Sequence, residues 1–296
     1  MKKKIKNIVV KGLVFVLSFA FGMFLAKATK AQDVNALLWK IEGNGLEAPS
    51  YLYGTIHAIC QEDYFMKESV KEALDNTGQI VLELDMDDPQ FMAKMQKNIL
   101  NAGMKNISPE FNEEDKALVN EFLKANFGAD LTQLGIVKPF GLVAMVVQKT
   151  IQCSEMASYE QEFIKVAAEK EVELIGLETV EFQTSLFDNE PMEVQIKMLV
   201  DGIKDFEEGQ EEFKKMVDYY KAEDLEGMQM LVADSPQFAG FEDILLTNRN
   251  KDWIPKIGDI VKDQSSFIAV GALHLPGENG VISLLKKAGY SITAAD

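Results

Sequence analysis

The order of apolar and polar residues predicts alternating strands and helices along most of the chain. Short apolar or alternating runs predict six strands, in the segments "NALLWKIEG", "SYLYGTIH", "QIVLELD", "VELIGLE", "SFIAVGALH" and "SITAAD". Apolar residues spaced three and four apart predict helices between them, as in "YEQEFIKVAAEK" and "GENGVISLLKKAGY". The pattern is helical from about residue 89 to 150, and again, with many charges, over 190–235. Strands that alternate with helices predict an α/β fold.

Two stretches repeat one order of elements, which suggests a duplication. Each runs strand, Gly-x-x-His, loop, helix and strand, first from "YLYGTIH" to "QIVLELD" and then from "FIAVGALH" to "YSIT". We therefore expect duplicated halves that form a mixed sheet core, with a central helical insertion at roughly 89–150.

The chain's only two histidines, His57 and His274, end these matching frames. Gly54 and Gly271 stand three residues before them, and a glycine at a strand end allows a sharp turn or a close backbone approach. Open α/β sheets bind ligands at the carboxyl ends of their strands, where both imidazoles would project. We interpret the two histidines as parts of one site, although either alone is typical of ordinary packing.

Acidic residues end two further predicted strands. Glu83 lies in the apolar run "VLELD", and Glu178 ends "IGLE". A carboxylate in apolar surroundings is costly unless it is paired or binds a cation. Two imidazoles with carboxylates suit a divalent metal of intermediate hardness, such as Mn, Co, Fe or Zn. They equally suit a metal-free acid/base pair, and an internal ion pair is a third interpretation of Glu83.

Arginine occurs once, at Arg249 in "LLTNRNKDW", in a chain that otherwise uses lysine. The planar guanidinium binds a carboxylate or a developing oxyanion through two parallel hydrogen bonds, which lysine does not do. Arg249 is therefore a candidate site residue, and the alternative is an ordinary arginine on the surface of a helix.

The first 31 residues have the pattern of a secretory signal. A basic stretch, "MKKKIKNIVVK", precedes an apolar run of about 15 residues, which is short for a membrane span. Small residues suited to cleavage follow, either Thr29 and Ala31 or Ala26 and Ala28. We expect a signal peptide over 1–31, one domain over 32–296, and export to the periplasm or cell envelope of a bacterium. Membrane contact is expected only through this segment, if it stays uncleaved.

The net charge disfavours one class of partner. The formal charge is −17, and removal of the seven lysines in residues 1–31 lowers it to about −24. Such a charge repels phosphate backbones, so we expect no nucleic-acid binding.

The interpretation of the two cysteines, Cys60 and Cys153, depends on whether the protein is exported. In an oxidising compartment a cysteine pair is more often a disulfide than a redox or metal motif. We predict a Cys60–Cys153 disulfide, with two separate thiols as the alternative.

Taken together, these segments resemble the TraB/GumN family, which includes the Tiki-type metalloproteases. The resemblance rests on "GTIH", "GALH", "VLELD", "IGLETVEFQ", "NRNKDW" and the ending "HLPGENGVISLLKKAGY", in the family's order. A wider group with erythromycin-esterase-like and haem-binding ChaN-like relatives shares a duplicated α/β core with a helical insertion.

The resemblance implies roles for particular residues. His57, His274 and Glu83 would converge in one cleft as catalytic residues and metal ligands, with Mn or Co the expected metal. Arg249 and Asn250 would bind substrate or stabilise an oxyanion, and Glu178, Gly54 and Gly271 would line the substrate site. The resemblance leaves open whether Glu83 is a metal ligand or a general base.

The expected function is that of an exported, metal-dependent hydrolase, specifically a peptidase, acting on a peptide or small-molecule substrate. One alternative is a protein of the same fold that binds haem or another small ligand without turnover. The other is a non-catalytic interaction protein of the cell envelope.

Overall fold

The computed structural model describes residues 35–235 and 240–295, so the predicted signal peptide at 1–31 lies outside the described residues. Its strands are β1 (Leu38–Gly43), β2 (Ser50–Thr55), β3 (Ile59–Cys60), β4 (Gln79–Leu84), β5 (Met156–Ala157), β6 (Glu173–Glu178), β7 (Ser266–Gly271) and β8 (Tyr290–Ala294). The six strands predicted from the sequence are β1, β2, β4, β6, β7 and β8, and they form one sheet.

The described helices fill most of the remaining chain. They are α1 (Glu68–Asp75), α2 (Phe91–Asn98), α3 (Glu113–Phe127), α4 (Leu131–Leu134), α5 (Pro139–Thr150), α6 (Tyr159–Lys170), α7 (Val180–Thr184), α8 (Met192–Lys204), α9 (Phe206–Lys221), α10 (Leu225–Asp234), α11 (Asn248–Asp263) and α12 (Val281–Lys287). None of the helices in the described part of the chain is both long and apolar enough to cross a membrane.

The sheet is mixed, with the strand order β6-β4-β7-β2-β1-β8. Strands β6, β4, β7 and β2 are parallel, whereas β1 runs antiparallel to both β2 and β8. The two strands of the Gly-x-x-His frames, β2 and β7, are neighbours at the centre, where Thr55 pairs with Gly271. Both frames therefore end at the same edge of the sheet, which confirms the predicted α/β fold.

The two similar halves leave the centre of the sheet in opposite directions. The first half passes from β2 through α1 to β4, and the second passes from β7 through α12 to β8. Since such crossovers are almost always right-handed, the two helices cover opposite faces of the sheet. Consistent with this, Lys170 of α6 hydrogen-bonds to the Leu74 carbonyl of α1, whereas α11 packs on α12.

Two hydrophobic clusters stabilise the described structure. The larger surrounds the sheet and includes Trp253, Phe267 and Tyr53, all fully buried. The smaller joins the predicted insertion to α8 and includes Leu123 and Leu199. Residues 89–150 thus contribute α2–α5 and pack against a later helix, while the predicted domain boundaries themselves stay predictions.

Candidate functional site

The two histidines converge on one carboxylate oxygen. His57 Nε2 and His274 Nε2 each lie 3.8 Å from Glu83 Oε1. Strand β2 ends two residues before His57, and a single 3₁₀ turn after β7 carries His274. Glu83 belongs to β4, which pairs with β7. The strand order therefore brings together three residues that are far apart in the sequence.

Each Gly-x-x-His motif packs closely against the glycine of the other motif. A Cβ at Gly271 would stand 3.1 Å from His57 Nε2 and 3.4 Å from Glu83 Oε1. A Cβ at Gly54 would stand 3.0 Å from Ala272 Cα. The Gly-x-x-His spacing is thus required by close packing between the two motifs, and Gly271 alone of the two glycines borders the cavity described below.

His57 is oriented by a carboxylate on α6. Its Nδ1 lies 2.9 Å from Glu160 Oε1, which also accepts a 2.8 Å hydrogen bond from the Thr55 hydroxyl. Neighbouring protein atoms displace water from the ring and oppose its charge, but the hydrogen bond to Glu160 and the charge of Glu83 raise the pKa of His57 to about 9. The side chain remains 63% exposed, so a protonated imidazole is presented to the cavity.

His274 has the opposite environment. Its Nδ1 lies 2.6 Å from Asn250 Oδ1 and its Nε2 lies 3.1 Å from Arg249 Nη1. A ring that donates to an amide oxygen and accepts from a guanidinium is neutral, with its proton on Nδ1. Burial and the charge of Arg249 lower the pKa of His274 to about 3. The two histidines therefore differ in charge at neutral pH.

Arg249 lies at the centre of the cluster, with all five N–H groups engaged. Its Nη2 donates to Glu83 Oε2 at 2.5 Å and to Glu178 Oε2 at 2.9 Å, and its Nε donates to Glu178 Oε1 at 2.9 Å. Its Nη1 contacts the Leu245 carbonyl at 2.9 Å and His274. Because no donor is left for a substrate, this geometry favours a positioning role over the oxyanion binding expected from the sequence.

The two carboxylates of the cluster have distinct positions. Glu178 is buried, and it also accepts hydrogen bonds from Trp253 Nε1 at 2.9 Å and Gln183 Nε2 at 3.1 Å. Glu83 keeps 11% of its side chain exposed, towards the cavity. Burial disfavours its charge, but the protonated His57, the guanidinium and the Gly271 amide hold the pKa of Glu83 well below its usual range. Glu83 is thus the ionised acid that a ligand meets.

The predicted metal ligands do not fit a metal ion as they are arranged. Within the described residues, no group of three or more His, Cys, Asp or Glu side chains is placed to hold one. Glu160 and Asn250 hold the two Nδ1 atoms as outer partners of metal-bound histidines do. However, the His274 Nε2 lone pair is directed at Arg249, so coordination would require the guanidinium to move. Metal binding therefore stays a prediction.

A large cavity opens above the cluster. Its volume is about 900 Å³, near the upper end for small-molecule sites. His57, Glu83, Gly271 and His274 border it at the end of the sheet, and α5, α8 and α9 supply its walls. The cluster therefore faces a cavity large enough for a sizeable ligand.

A family model covers nearly all of the described chain. The model of the TraB/PrgY/gumN family matches residues 37–294. The chain belongs to this family.

Two zebrafish (Danio rerio) proteins show local similarity to this TraB/PrgY/gumN chain. Metalloprotease TIKI2 is 33% identical over 70 residues, which are 23% of this chain and 14% of that protein. Metalloprotease TIKI1 is 32% identical over 77 residues, which are 25% of this chain and 15% of that protein. The chain thus spans about one-seventh of the length of these relatives. No solved structure matches it.

The structure gathers most of the predicted site residues of this family member but separates three of them from the cavity. Asn250 is 2% exposed and donates to the Asn279 carbonyl at 2.9 Å, so it lies behind His274. Gly54 is buried against the second frame, and Glu178 is buried against Arg249 and Trp253. The proposed substrate contacts of all three stay untested, and their positions favour support of the site.

Two residues of the site were missed by sequence reasoning. Glu160 stands in the first turn of α6, next to the N-cap Ser158, where an acid is ordinary because it interacts well with the helix dipole. Gln183 lies in the "IGLETVEFQ" segment but had no assigned role. It donates to both Glu83 and Glu178, at 3.2 and 3.1 Å.

The two cysteines are free thiols in the structure, so the predicted disulfide is not formed there. They are nevertheless neighbours, since their side chains form a hydrogen bond near the point where β3 pairs with β5. Burial and the adjacent Cys153 thiol raise the pKa of Cys60 to about 12. The disulfide therefore stays a prediction.

Proposed function

We propose that this chain is a hydrolase that cleaves an amide bond, with peptides as the first substrates to test. The observation that carries the proposal is that a proton donor and an ionised proton acceptor lie next to each other where the sheet borders the cavity. The protonated ring of His57 faces the cavity, with its Nε2 3.8 Å from the ionised Glu83. Groups whose pKa values are moved apart in this way are typical of acid/base catalysis. The local similarity to two metalloproteases supports hydrolysis as the reaction class.

In this proposal water attacks the carbonyl carbon while the C–N bond breaks. Glu83 accepts the proton that the attacking water loses, and His57 donates the proton that the leaving nitrogen gains. Glu160 holds His57 in its charged form, since it accepts from Nδ1 at 2.9 Å. Arg249 fixes Glu83 through a 2.5 Å hydrogen bond. These two residues act through others and are positioning residues.

The test is hydrolysis of a peptide library by the purified chain and its variants. We expect His57→Ala and Glu83→Gln to lower kcat/KM by about 100-fold or more, the usual contribution of an acid or base. Asp85→Asn is the matched control, because Asp85 lies two residues after Glu83, does not border the cavity, and hydrogen-bonds to the Asp88 amide at 3.2 Å and to the Asp87 side chain. Equal activity of Glu83→Gln and Asp85→Asn would remove the basis of the proposal.

Binding of a small ligand without turnover is the second candidate. The exposed imidazole of His57 above a large apolar cavity is the observation that favours it, because haem binds through such a histidine. A haem titration would give a Soret shift in the wild type and none in His57→Ala. No Soret shift in either protein would dismiss haem as the ligand.

We also propose export to the periplasm or cell envelope. The basic and apolar pattern of residues 1–31 supports it. Fractionation of the expressing bacterium would place the protein in the periplasm, and its mass would show cleavage near residue 31. A cytoplasmic product of full mass would contradict the proposal.

A further inference from the structure

The walls of the cavity are apolar for most of their length. Phenylalanine, methionine and aliphatic side chains from α5, α8, α9 and α10 line them, among them Phe140, Phe213, Met198, Met216 and Met228. The mouth is apolar as well, since Val147 and Met156 stay 50% and 45% exposed there. An apolar rim of this kind marks a surface that receives an apolar ligand.

Most of the polar side chains that border the cavity belong to the cluster at the sheet, and the others are few. Thr55, His57, Glu83, Gln183, Arg249 and His274 lie at the end of the sheet. Lys197 and Asp201 pair with each other on α8, 73% and 36% exposed to solvent. On α5, Gln148 borders the cavity at a solvent-exposed position, and the Thr150 hydroxyl donates to the Val147 carbonyl of its own helix at 2.7 Å. Away from the sheet, the buried part of the wall therefore offers few partners for a ligand's polar groups.

This distribution decides between two kinds of ligand. An extended peptide carries an N–H and a C=O at each residue, and burial of these groups without partners is costly. A polymethylene chain has no polar groups that need partners, and each methylene that leaves water makes the free energy of binding more favourable.

We propose that the cavity binds one long acyl chain and presents the amide carbonyl at its head to His57 and Glu83. The proposal rests on the hydrolase function above and names the substrate as an N-acyl compound. Water adds to the acyl carbon, the C–N bond breaks, and a fatty acid and an amine are released.

Substitution of either of two glycines on the cavity wall would shorten the cavity. A Cβ at Gly202 of α8 would meet no atom within 4 Å, and one at Gly209 of α9 would meet Thr150 Cγ2 at 3.4 Å. Both border the cavity within helices. A larger side chain at either position therefore enters the empty space without displacing its own helix.

The experiment measures binding of N-acylethanolamines with four, eight and twelve carbons by calorimetry. We expect affinity to rise about fourfold per methylene in the wild type. Gly202→Phe should weaken binding of the twelve-carbon amide by tenfold or more and leave the four-carbon amide unchanged, and Gly209→Leu should act in the same direction. Ala125→Phe, on the exposed face of α3, is the control with a similar added bulk and should bind like the wild type.

The possible results of this experiment test the acyl-chain site and the hydrolase function separately. Equal affinity for four and twelve carbons, or unchanged binding by both glycine variants, would overturn the acyl-chain site even if peptides are cleaved. Chain-length-dependent binding without release of ethanolamine would establish the acyl-chain site and contradict amide hydrolysis. Release of ethanolamine that is fastest from the twelve-carbon amide would support both.

Discussion

Gly271 and His57 are in steric contact across the two Gly-x-x-His motifs, since a Cβ at position 271 would stand 3.1 Å from His57 Nε2. The glycine of one motif thus leaves space for the histidine of the other, at the point where β2 and β7 end side by side. Each motif therefore depends on the other, because its residues hold their positions only when the two motifs pack together.

Gly271→Ala should therefore disturb the site more than the fold. The added methyl displaces His57 relative to Glu83, so we expect kcat/KM to fall about 10-fold or more. The change in the free energy of unfolding should stay within about 1 kcal/mol, because an exposed side chain can move away. Gly258→Ala is the control, with a similar 3.2 Å contact to Tyr290 Oη away from the cavity. Equal kcat/KM for both variants would contradict the steric argument.

The two histidines should titrate far apart. The pKa of His57 is raised to about 9 and that of His274 is lowered to about 3. Because the chain has only two histidines, NMR titration of the imidazole Cε1–Hε1 signals resolves both. His57→Gln assigns them by removing the signal that moves near pH 9. Two midpoints near the ordinary value of about 6.5 would contradict the described hydrogen bonds.

The Glu160 carboxylate should set the alkaline limit of activity. If His57 must be protonated, kcat/KM is constant at neutral pH and falls as the pH rises through about 9. Glu160→Gln removes the carboxylate, so the pKa of His57 falls and the alkaline limb moves down by about one pH unit or more. Glu162→Gln is the control, since Glu162 stands in the same turn of α6 and pairs with Lys165, at 2.9 Å. An unmoved limb in Glu160→Gln would show that Glu160 does not hold this proton.

The same pKa has a consequence for stability. A histidine whose pKa is raised by folding stabilises the native state fully below its unfolded pKa of about 6.5. This contribution is lost as the pH rises through about 9. Denaturant unfolding at pH 6 and pH 10 should therefore show a smaller difference in Glu160→Gln than in the wild type.

Arg249 and a divalent metal should compete for the same lone pair. Since Arg249 Nη1 lies 3.1 Å from His274 Nε2, its removal in Arg249→Gln frees a ligand beside His57 and Glu83. We expect Co²⁺ affinity, measured by calorimetry and by the visible absorbance of the ion, to rise about tenfold or more. Addition of His57→Ala should abolish the gain, and the melting temperature checks that each variant folds. Equal affinity of the wild type and Arg249→Gln would show that the guanidinium does not block a metal site.

The Cys60–Cys153 disulfide should form under oxidation by a disulfide such as oxidised glutathione. The Cys60 and Cys153 side chains already form a hydrogen bond, so closure requires little movement. The bond would raise the free energy of unfolding by about 2–4 kcal/mol. Peptide mapping and unfolding with and without dithiothreitol test this, with Cys153→Ser as the control. Absence of the cross-linked peptide would favour two separate thiols.

Local pattern determined the elements and several of the site positions. The six strands follow from apolar runs whose side chains must leave water, and these runs are visible without knowledge of their partners. The strand ends then place His57, Glu83, Glu178 and His274 near one edge, because parallel strands end together. The family resemblance rested on the same segments and was confirmed by the match over 37–294.

The tertiary structure decided which groups are charged and which face the cavity. Glu160 reaches His57 across 103 positions of sequence, and Arg249 reaches Glu83 across 166, so no local pattern marks either contact. The sequence alone gives the two histidines matching frames. Packing then surrounds one with carboxylates and buries the other beside a guanidinium, because hydrogen-bond partners and loss of solvent, and not residue type, set a pKa.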